Sequence, residues 1–356
     1  MKLITGLLAL IALSSFTVDA MASNDDYPGV HILQYHHVSD STPAVTSITP
    51  EQFEQHLKYL KDNNFNVVDI EQAATWVDEG ASIPAKTVVI TFDDGYDNVF
   101  ENAHPILTEY NYPYAVFVNP DLLEAHPSAY MSWQELKTID AEGATIVNHG
   151  QTHAHLIRRK DNESEAQWQA RMKQDVVSAQ QAIDTQLGEQ PKYFAYPYGE
   201  YSPALEKLLK DWGFKGFAQH SGAWSQWSPT TAIPRFPASG RYANLETLAV
   251  KLNSLPMPVT HYTPADPLVS HSETRPTVTV ELSKTEGMNT NALRCFAGSD
   301  VLEPHWDSEM QFSVTPKNDI PMGRSRINCT APSTSGGYHW FSVALIRPDS
   351  QGNWPD

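Results

Sequence analysis

Short apolar runs alternate with helical patterns from residue 31 to about residue 236, and this alternation constrains the fold more than any other feature. The runs are rich in Val, Ile, Phe and Tyr and are bounded by turn residues, which is typical of buried strands. The runs are His31–His36, Asn66–Ile70, Val88–Phe92, Tyr114–Val118, Ala144–Val147, Tyr193–Tyr196 and Gly216–Gln219. Strands that alternate with helices predict a parallel sheet with a barrel-like closure, and an open doubly wound sheet is the alternative.

The clearest helix between these runs begins at Thr49-Pro50-Glu51-Gln52, which combines a capping box with proline at the first helical position. Phe53, Leu57 and Leu60 then follow at helical spacing on one face. Further helices are predicted at about 97–110, 132–142, 164–187 and 202–212.

The last quarter of the chain has a different pattern. The density of proline in residues 253–276 predicts a linker. Beyond it, the runs Thr277–Leu282, Gln311–Val314 and His339–Ile346 predict a small β-sandwich over residues 277–356. Cys295 and Cys329 are expected to form a disulfide there, and two unpaired buried thiols are the alternative.

The N-terminus has the layout of a secretory signal peptide, residues 1–22. Lys2 precedes an apolar stretch that ends near Leu13, and Ala20-Met21-Ala22 offers a cleavage site. We therefore expect export, to the periplasm or beyond the cell, and a catalytic domain over residues 23–252. No later stretch is long and apolar enough for a transmembrane helix.

The net charge of the chain limits which kinds of molecule it can bind. The chain has 42 acidic and 24 basic residues, a formal net charge of −18. A phosphate backbone would be repelled, so a sequence-independent nucleic-acid binder is excluded, and an anionic membrane surface is disfavoured. A neutral or cationic polymer is the more natural partner. We expect the protein to be a monomer.

Ionisable side chains follow several of the predicted strands, at the end where parallel α/β folds place their catalytic residues. Asp93 and Asp94 follow the third run, and His149 and His153 follow the fifth. Two adjacent carboxylates are costly unless a cation compensates them. One aspartate and two histidines suit a three-ligand divalent metal site, which leaves the other aspartate to accept a proton from water. Alone, the aspartates fit a turn and the histidines fit a solvated loop, but together they favour the metal site.

His36 ends the first run, where it could protonate a leaving group as a general acid. A packed histidine is the alternative. His37 and His155 are interpreted as structural. Trp224 and Trp227 fall in a loop after the seventh run, where they could stack on sugar rings or pack beneath the loop.

Thr91-Phe92-Asp93-Asp94-Gly95, followed by His149-x-x-Thr152-His153, resembles the polysaccharide deacetylases (carbohydrate esterase family four, the NodB homology domain). The resemblance covers about residues 30–240. It implies a distorted (β/α) barrel and one divalent metal ion, usually Zn2+, with Co2+ and Ni2+ as alternatives. By the same resemblance, Asp94, His149 and His153 are the metal ligands and Asp93 is the catalytic base. Tyr196-Pro197-Tyr198-Gly199 matches the third family motif, in which the backbone N–H of Tyr198 would hold the oxyanion.

The chain departs from the family pattern at two places. Ala195 stands where the family has an arginine, and Leu248–Pro258 lacks the late catalytic histidine. The exported poly-N-acetylglucosamine deacetylases carry that histidine on the first strand, and Tyr35-His36-His37-Val38 resembles their segment, which implies that His36 is the acid. Arg235 is the candidate for the missing arginine that orients the base, and we group it with Tyr198 among the substrate and oxyanion residues.

The resemblance implies a metal-dependent N-deacetylase that acts on N-acetylglucosamine residues of an acetylated aminosugar polymer. An O-acetyl esterase on acetylated polysaccharide and a carbohydrate-binding protein that has lost the chemistry are the alternatives. A glycoside hydrolase is disfavoured because Asp93 and Asp94 are adjacent, and one of them is committed to metal.

Overall fold

The computed structural model describes residues 27–126 and 128–355. The predicted signal peptide, residues 1–22, lies outside the described residues. Within the described ranges, every helix is too short or too polar to span a bilayer.

The first region of the described chain alternates strands with helices. The strands are β1 (Val30–Tyr35), β2 (His37–Val38), β3 (Ser47–Ile48), β4 (Asn66–Val67), β5 (Thr87–Phe92), β6 (Ala115–Val118), β7 (Thr145–Asn148), β8 (Tyr193–Ala195), β9 (Lys215–Phe217) and β10 (Phe236–Pro237). The helices are α1 (Pro50–Asp62), α2 (Ile70–Asp78), α3 (His104–Tyr110), α4 (Pro120–Ala125), α5 (Trp133–Ala141), α6 (Glu165–Leu187), α7 (Pro203–Asp211) and α8 (Leu245–Leu252).

Seven of these strands form one parallel sheet in the order β10-β1-β5-β6-β7-β8-β9, and β4 pairs beside β5. Ile233 forms a parallel bridge with Phe217 of β9, and three residues later Phe236 pairs with Leu33 of β1. The segment that leads into β10 therefore joins the two edges of the curved sheet. The predicted distorted barrel of about seven parallel strands is confirmed.

The predicted helix at Thr49 is confirmed together with its cap. Thr49 Oγ1 accepts a hydrogen bond of 3.1 Å from Gln52 N, and α1 buries Phe53, Leu57 and Leu60 against the sheet. Helices α2, α4 and α8 are not among the predicted ones. In α2, Asp69 caps the helix by accepting from Gln72 N at 2.7 Å, and this ends the run predicted as a strand over Asn66–Ile70.

The last region is a β-sandwich, as predicted, and we call strands β11–β19 the β-module. Its strands are β11 (Leu255–Pro256), β12 (Val259–Thr263), β13 (Val278–Leu282), β14 (Arg294–Ala297), β15 (Asp300–Leu302), β16 (His305–Ser308), β17 (Gln311–Val314), β18 (Gly323–Pro332) and β19 (Tyr338–Arg347). One sheet is antiparallel and has the order β12-β13-β17-β16. The other sheet has the order β11-β19-β18-β14-β15. Apolar side chains from both sheets share one core.

The proline-rich segment 253–276 is only partly a connection, because it supplies β11 and β12. Both strands lie at sheet edges, where proline is tolerated because no second neighbour needs its missing N–H. Proline density therefore predicts a linker where the structure has edge strands. The boundaries 23–252 and 277–356 stay predictions.

The expected disulfide between Cys295 and Cys329 is confirmed. The two residues face each other in register on β14 and β18, and both are fully buried in the core of the β-module.

Replacing both cysteines with alanine is expected to lower the free energy of unfolding of the β-module by about 3–4 kcal/mol, because the disulfide restricts the unfolded chain. Denaturant unfolding followed by tryptophan fluorescence measures this change, with the reduced, unsubstituted protein as the control. An unchanged unfolding midpoint in both samples would contradict it.

Candidate metal centre

Asp94 lies just beyond the carboxyl end of β5, in a turn that holds its side chain inside the barrel mouth. Its φ of +74° is in the left-handed region, which aspartate adopts more readily than most non-glycine residues. Its Oδ1 lies 3.1 Å from His149 Nε2 and 3.2 Å from His153 Nε2. The structure thus brings together the three residues predicted as metal ligands.

The loop after β7 turns sharply so that both histidines face Asp94. Gly150 has a φ of +82°, and a Cβ there would lie 2.5 Å from Asp175 Oδ1, so only glycine fits. Asp175, on α6, accepts hydrogen bonds from Gln151 N at 3.0 Å and from Thr152 Oγ1 at 2.6 Å. These bonds fix the conformation of the segment that connects His149 to His153.

The histidine tautomer suits a metal ligand. His149 Nδ1 lies 2.8 Å from the carbonyl oxygen of Ala195, and an N–H at Nδ1 leaves the lone pair of Nε2 facing Asp94. Asp94 Oδ1 is buried and accepts no hydrogen bond of acceptable geometry. Around a tetrahedral ion with bonds of about 2.0–2.1 Å, neighbouring ligand atoms are about 3.3 Å apart. The three donors, all within 4.8 Å of one another, therefore fit one divalent ion.

The carboxyl group of Asp94 is ionised in this setting. Burial raises its pKa, but protons on the imidazoles of His149 and His153, which a bound cation would replace, outweigh burial and hold the pKa well below its usual range. A charged oxygen ligand is therefore ready to bind a cation.

Asp93 is completely buried and is held by Arg235 through two parallel hydrogen bonds, of 2.6 Å to Oδ1 and 2.8 Å to Oδ2. Gln34 Nε2 donates to Oδ2 at 2.6 Å. Arg235 Nε donates to the carbonyl of Ala218 at 3.0 Å, so the guanidinium is fixed in one plane. Burial raises the pKa of Asp93, but the charge and hydrogen bonds of Arg235, together with the nearby histidines, outweigh burial, and the net shift is downward. The carboxylate is thus oriented and charged.

Asp94 and His153 line a cleft of about 840 Å³, which we call the active-site cleft, whereas His149 and Asp93 are buried and do not line it. Its lining includes Gln34, His36, Asp94, His153, Tyr198 and Gln219. His36, just past β1, is half-buried and faces the same space as the metal-centre residues. Arg235 does not line the cleft; it contacts Asp93 from behind, as expected for an orienting arginine and unlike a substrate contact.

Tyr198 lies in a tight 3₁₀ turn, Pro197–Gly199, with a φ of +58°. Its ring stacks on His155 at 3.8 Å between centroids and with 5° between planes. His155 Nδ1 is 2.9 Å from Glu200 Oε2, and Glu200 Oε1 accepts from Arg324 at 2.8 Å and from Trp354 at 2.7 Å. The turn is therefore anchored, through a buried carboxylate, to the β-module.

Some residues of the site carry no readable signal in the sequence. Gln34, Glu200 and Arg324 become recognisable only once the sheet and the β-module are in place. The position of His37 agrees with its interpretation as a structural residue. Its Nδ1 lies 2.9 Å from Asn98 Nδ2, and burial lowers its pKa to about 4. Trp224 packs in the core against Phe217, so packing describes it better than sugar stacking.

Comparisons with known proteins find similar sequences and similar folds. Residues 80–217 match the family model for polysaccharide deacetylase. The Poly-beta-1,6-N-acetyl-D-glucosamine N-deacetylase of Staphylococcus aureus is 27% identical over 197 residues, which cover 53% of this chain and 67% of that protein.

Two solved structures share the fold. The Streptococcus pyogenes deacetylase PplD, in complex with acetate, superposes with a TM-score of 0.57 at 21% identity over 64% of this chain and 99% of that one. IcaB from Ammonifex degensii superposes with a TM-score of 0.55 at 23% identity, covering 63% of this chain and 97% of that one. Each likeness covers less than two thirds of this chain.

Proposed function

We propose that this chain, whose residues 80–217 match the polysaccharide deacetylase family model, is a hydrolase of amide bonds that removes acetyl groups from N-acetylglucosamine residues of an extracellular or cell-envelope polysaccharide. One observation carries the proposal. Asp94, His149 and His153 converge beside a cleft of about 840 Å³, and Arg235 holds the charged Asp93, the residue next to Asp94.

Each side chain has a proposed task that its surroundings support. Asp93 accepts the proton of the attacking water, and one lone-pair position on Oδ1 is left beside its bond to Arg235. The water oxygen bonds to the acetyl carbonyl carbon, and the backbone N–H of Tyr198 donates to the oxyanion. The carbon–nitrogen bond then breaks as protonated His36 gives its proton to the sugar nitrogen. The products are acetate and a free amine.

Asp94, His149 and His153 are the residues that would hold the metal ion. When bound, a divalent ion supplies Lewis-acid polarisation of the carbonyl and lowers the pKa of water. We propose Zn2+, since one carboxylate and two imidazoles suit it, and Co2+ and Ni2+ accept the same donors.

We further propose that the protein works outside the cytoplasm. The Cys295–Cys329 disulfide supports this, because such bonds persist in oxidising compartments. The monomeric state stays a prediction.

A substrate panel tests the function: β-1,6-linked N-acetylglucosamine polymer, chitin oligomers, peptidoglycan and acetylxylan, read by acetate release. We expect release from at least one aminosugar polymer, its loss on treatment with a chelator, and its recovery on addition of Zn2+, Co2+ or Ni2+.

Other outcomes would overturn the proposal. Release from acetylxylan alone would indicate an O-acetyl esterase. No chelator-sensitive release from any polymer would indicate a carbohydrate-binding protein, and new reducing ends would indicate a glycoside hydrolase.

A further inference from the structure

One wall of the active-site cleft is cationic. Arg241, Arg324 and Arg326 line it, and Asp94, a proposed metal ligand, is the only carboxylate among the described lining residues. The chain as a whole carries 42 acidic and 24 basic residues. The local charge of the cleft wall is thus opposite to the average charge of the protein.

Two separate parts of the chain build this wall. Arg241 lies in a 3₁₀ turn, Gly240–Tyr242, shortly after β10. Arg324 and Arg326 are two residues apart on β18, and this spacing places both on the same face of the strand. The β-module therefore completes the cleft of the barrel.

The three arginines are not equivalent. Arg324 is neutralised, because it bonds Glu200 at 2.8 Å. Among the described residues, Arg241 and Arg326 form no ion pair with a carboxylate. Both lie against the ring of Tyr242, with guanidinium carbons 4.9 Å and 5.9 Å from its centroid. Two guanidinium groups thus lie near one ring, and neither pairs with a carboxylate in the part of the chain that the structure describes.

A third cation approaches the same ring. Lys251 Nζ lies 4.5 Å from the Tyr242 centroid, is buried, and donates to the carbonyl of Pro237 at 2.8 Å. Burial and the nearby charge of Arg326 lower the pKa of Lys251 to about 7. Burial is the larger cause of this shift, and the charge of Arg326 adds to it.

Concentrated positive charge without a counter-ion is costly for the empty protein and favourable once an anion is bound. The planar fork of a guanidinium matches the oxygens of a carboxylate or a phosphate. We propose that Arg241 and Arg326 form a subsite for an oxyanion, carboxylate or phosphate, carried by the substrate polymer close to the acetylated sugar. This inference rests on the proposed function and specifies its substrate class as an anionic acetylated aminosugar polymer.

Matched ligands isolate the charge. Carboxymethyl chitin and hydroxyethyl chitin oligosaccharides of equal length share backbone and linkage, and phosphorylated chitin supplies the phosphate arm. Binding is measured by titration calorimetry on the full-length, metal-loaded Asp93→Asn protein, in which turnover is expected to be negligible. The ratio of KM values for the unsubstituted holoenzyme is a second readout that does not depend on that variant.

We expect the carboxymethyl or the phosphorylated oligomer to bind about tenfold more tightly than the hydroxyethyl oligomer, since hydrogen bonds to a charged group contribute this much. Arg326→Gln and Arg241→Gln should each remove most of this preference and change binding of the neutral oligomer less than about twofold. Arg294→Gln, the same charge change on β14 away from the cleft, should leave the preference intact. Whichever charged oligomer binds more tightly identifies the oxyanion as a carboxylate or a phosphate.

Equal affinity for the charged and neutral oligomers, or an equal loss for both in the Arg326→Gln protein, would overturn the subsite. A failure to release acetate from any polymer would instead count against the proposed function. The two results are separate because binding to the Asp93→Asn protein does not require turnover.

Discussion

The Asp93→Asn protein is expected to release acetate about 10³-fold more slowly than the unsubstituted protein while it still binds one metal ion per chain. Asparagine has the same shape as aspartate, but it cannot accept a proton from water, and general bases contribute about 10²–10⁴-fold. Metal content should persist because the three proposed ligands are other residues. Initial rates and elemental analysis of the same sample measure both quantities.

Asp211→Asn is the matched control, since it removes an exposed carboxylate that pairs with Lys207 on α7 and does not line the cleft. It should leave the rate unchanged. If the Asp93→Asn protein turned over within a few-fold of the unsubstituted protein, the base would have to be another residue.

The Arg235→Gln protein is expected to lose about 3–5 kcal/mol in its free energy of unfolding, because the Asp93 carboxylate would remain buried without its cation. Both partners of this pair are fully buried, so water cannot replace the guanidinium. Chemical denaturation followed by circular dichroism measures the loss.

Two further variants make this test specific. Arg159→Gln breaks an exposed ion pair with Glu165 of similar length, 2.7 Å, and should cost at most about 1 kcal/mol. The double substitution Asp93→Asn with Arg235→Gln should be more stable than Arg235→Gln alone, because no unpaired charge then stays buried. Equal losses for Arg235→Gln and Arg159→Gln would show that burial does not matter to the pair.

The parallel sheet and the metal-centre residues were predictable from the sequence. Each motif directly follows a run that reads as a buried strand, and the carboxyl ends of parallel strands meet at one edge of the sheet. Asp94, His149 and His153 are accordingly close in space although up to 59 residues separate them along the chain. The capped helix at Thr49 was predictable for a similar reason, since a capping box is a local interaction.

The short elements were less predictable. Strand β4 is only two residues long, and Asp69 caps α2 soon after it. Because apolar residues occur in both elements, the hydrophobic pattern alone predicts a strand that is too long. In residues 253–276, proline density indicates a linker, whereas pairing with β19 and β13 makes two edge strands. Pairing partners supply hydrogen bonds that local sequence does not reveal.

By itself, the sequence determined the alternation of strands and helices and the side chains that end each strand, because periodicity, caps and turn residues act over a few neighbours. Only the tertiary structure decided that Gln34 bonds Asp93, that Glu200 bonds His155, and that Arg326 lines the cleft. Such contacts depend on how the strands close into a barrel and on the packing of the β-module against it. Ion pairs and hydrogen bonds between buried groups form only when that packing excludes water.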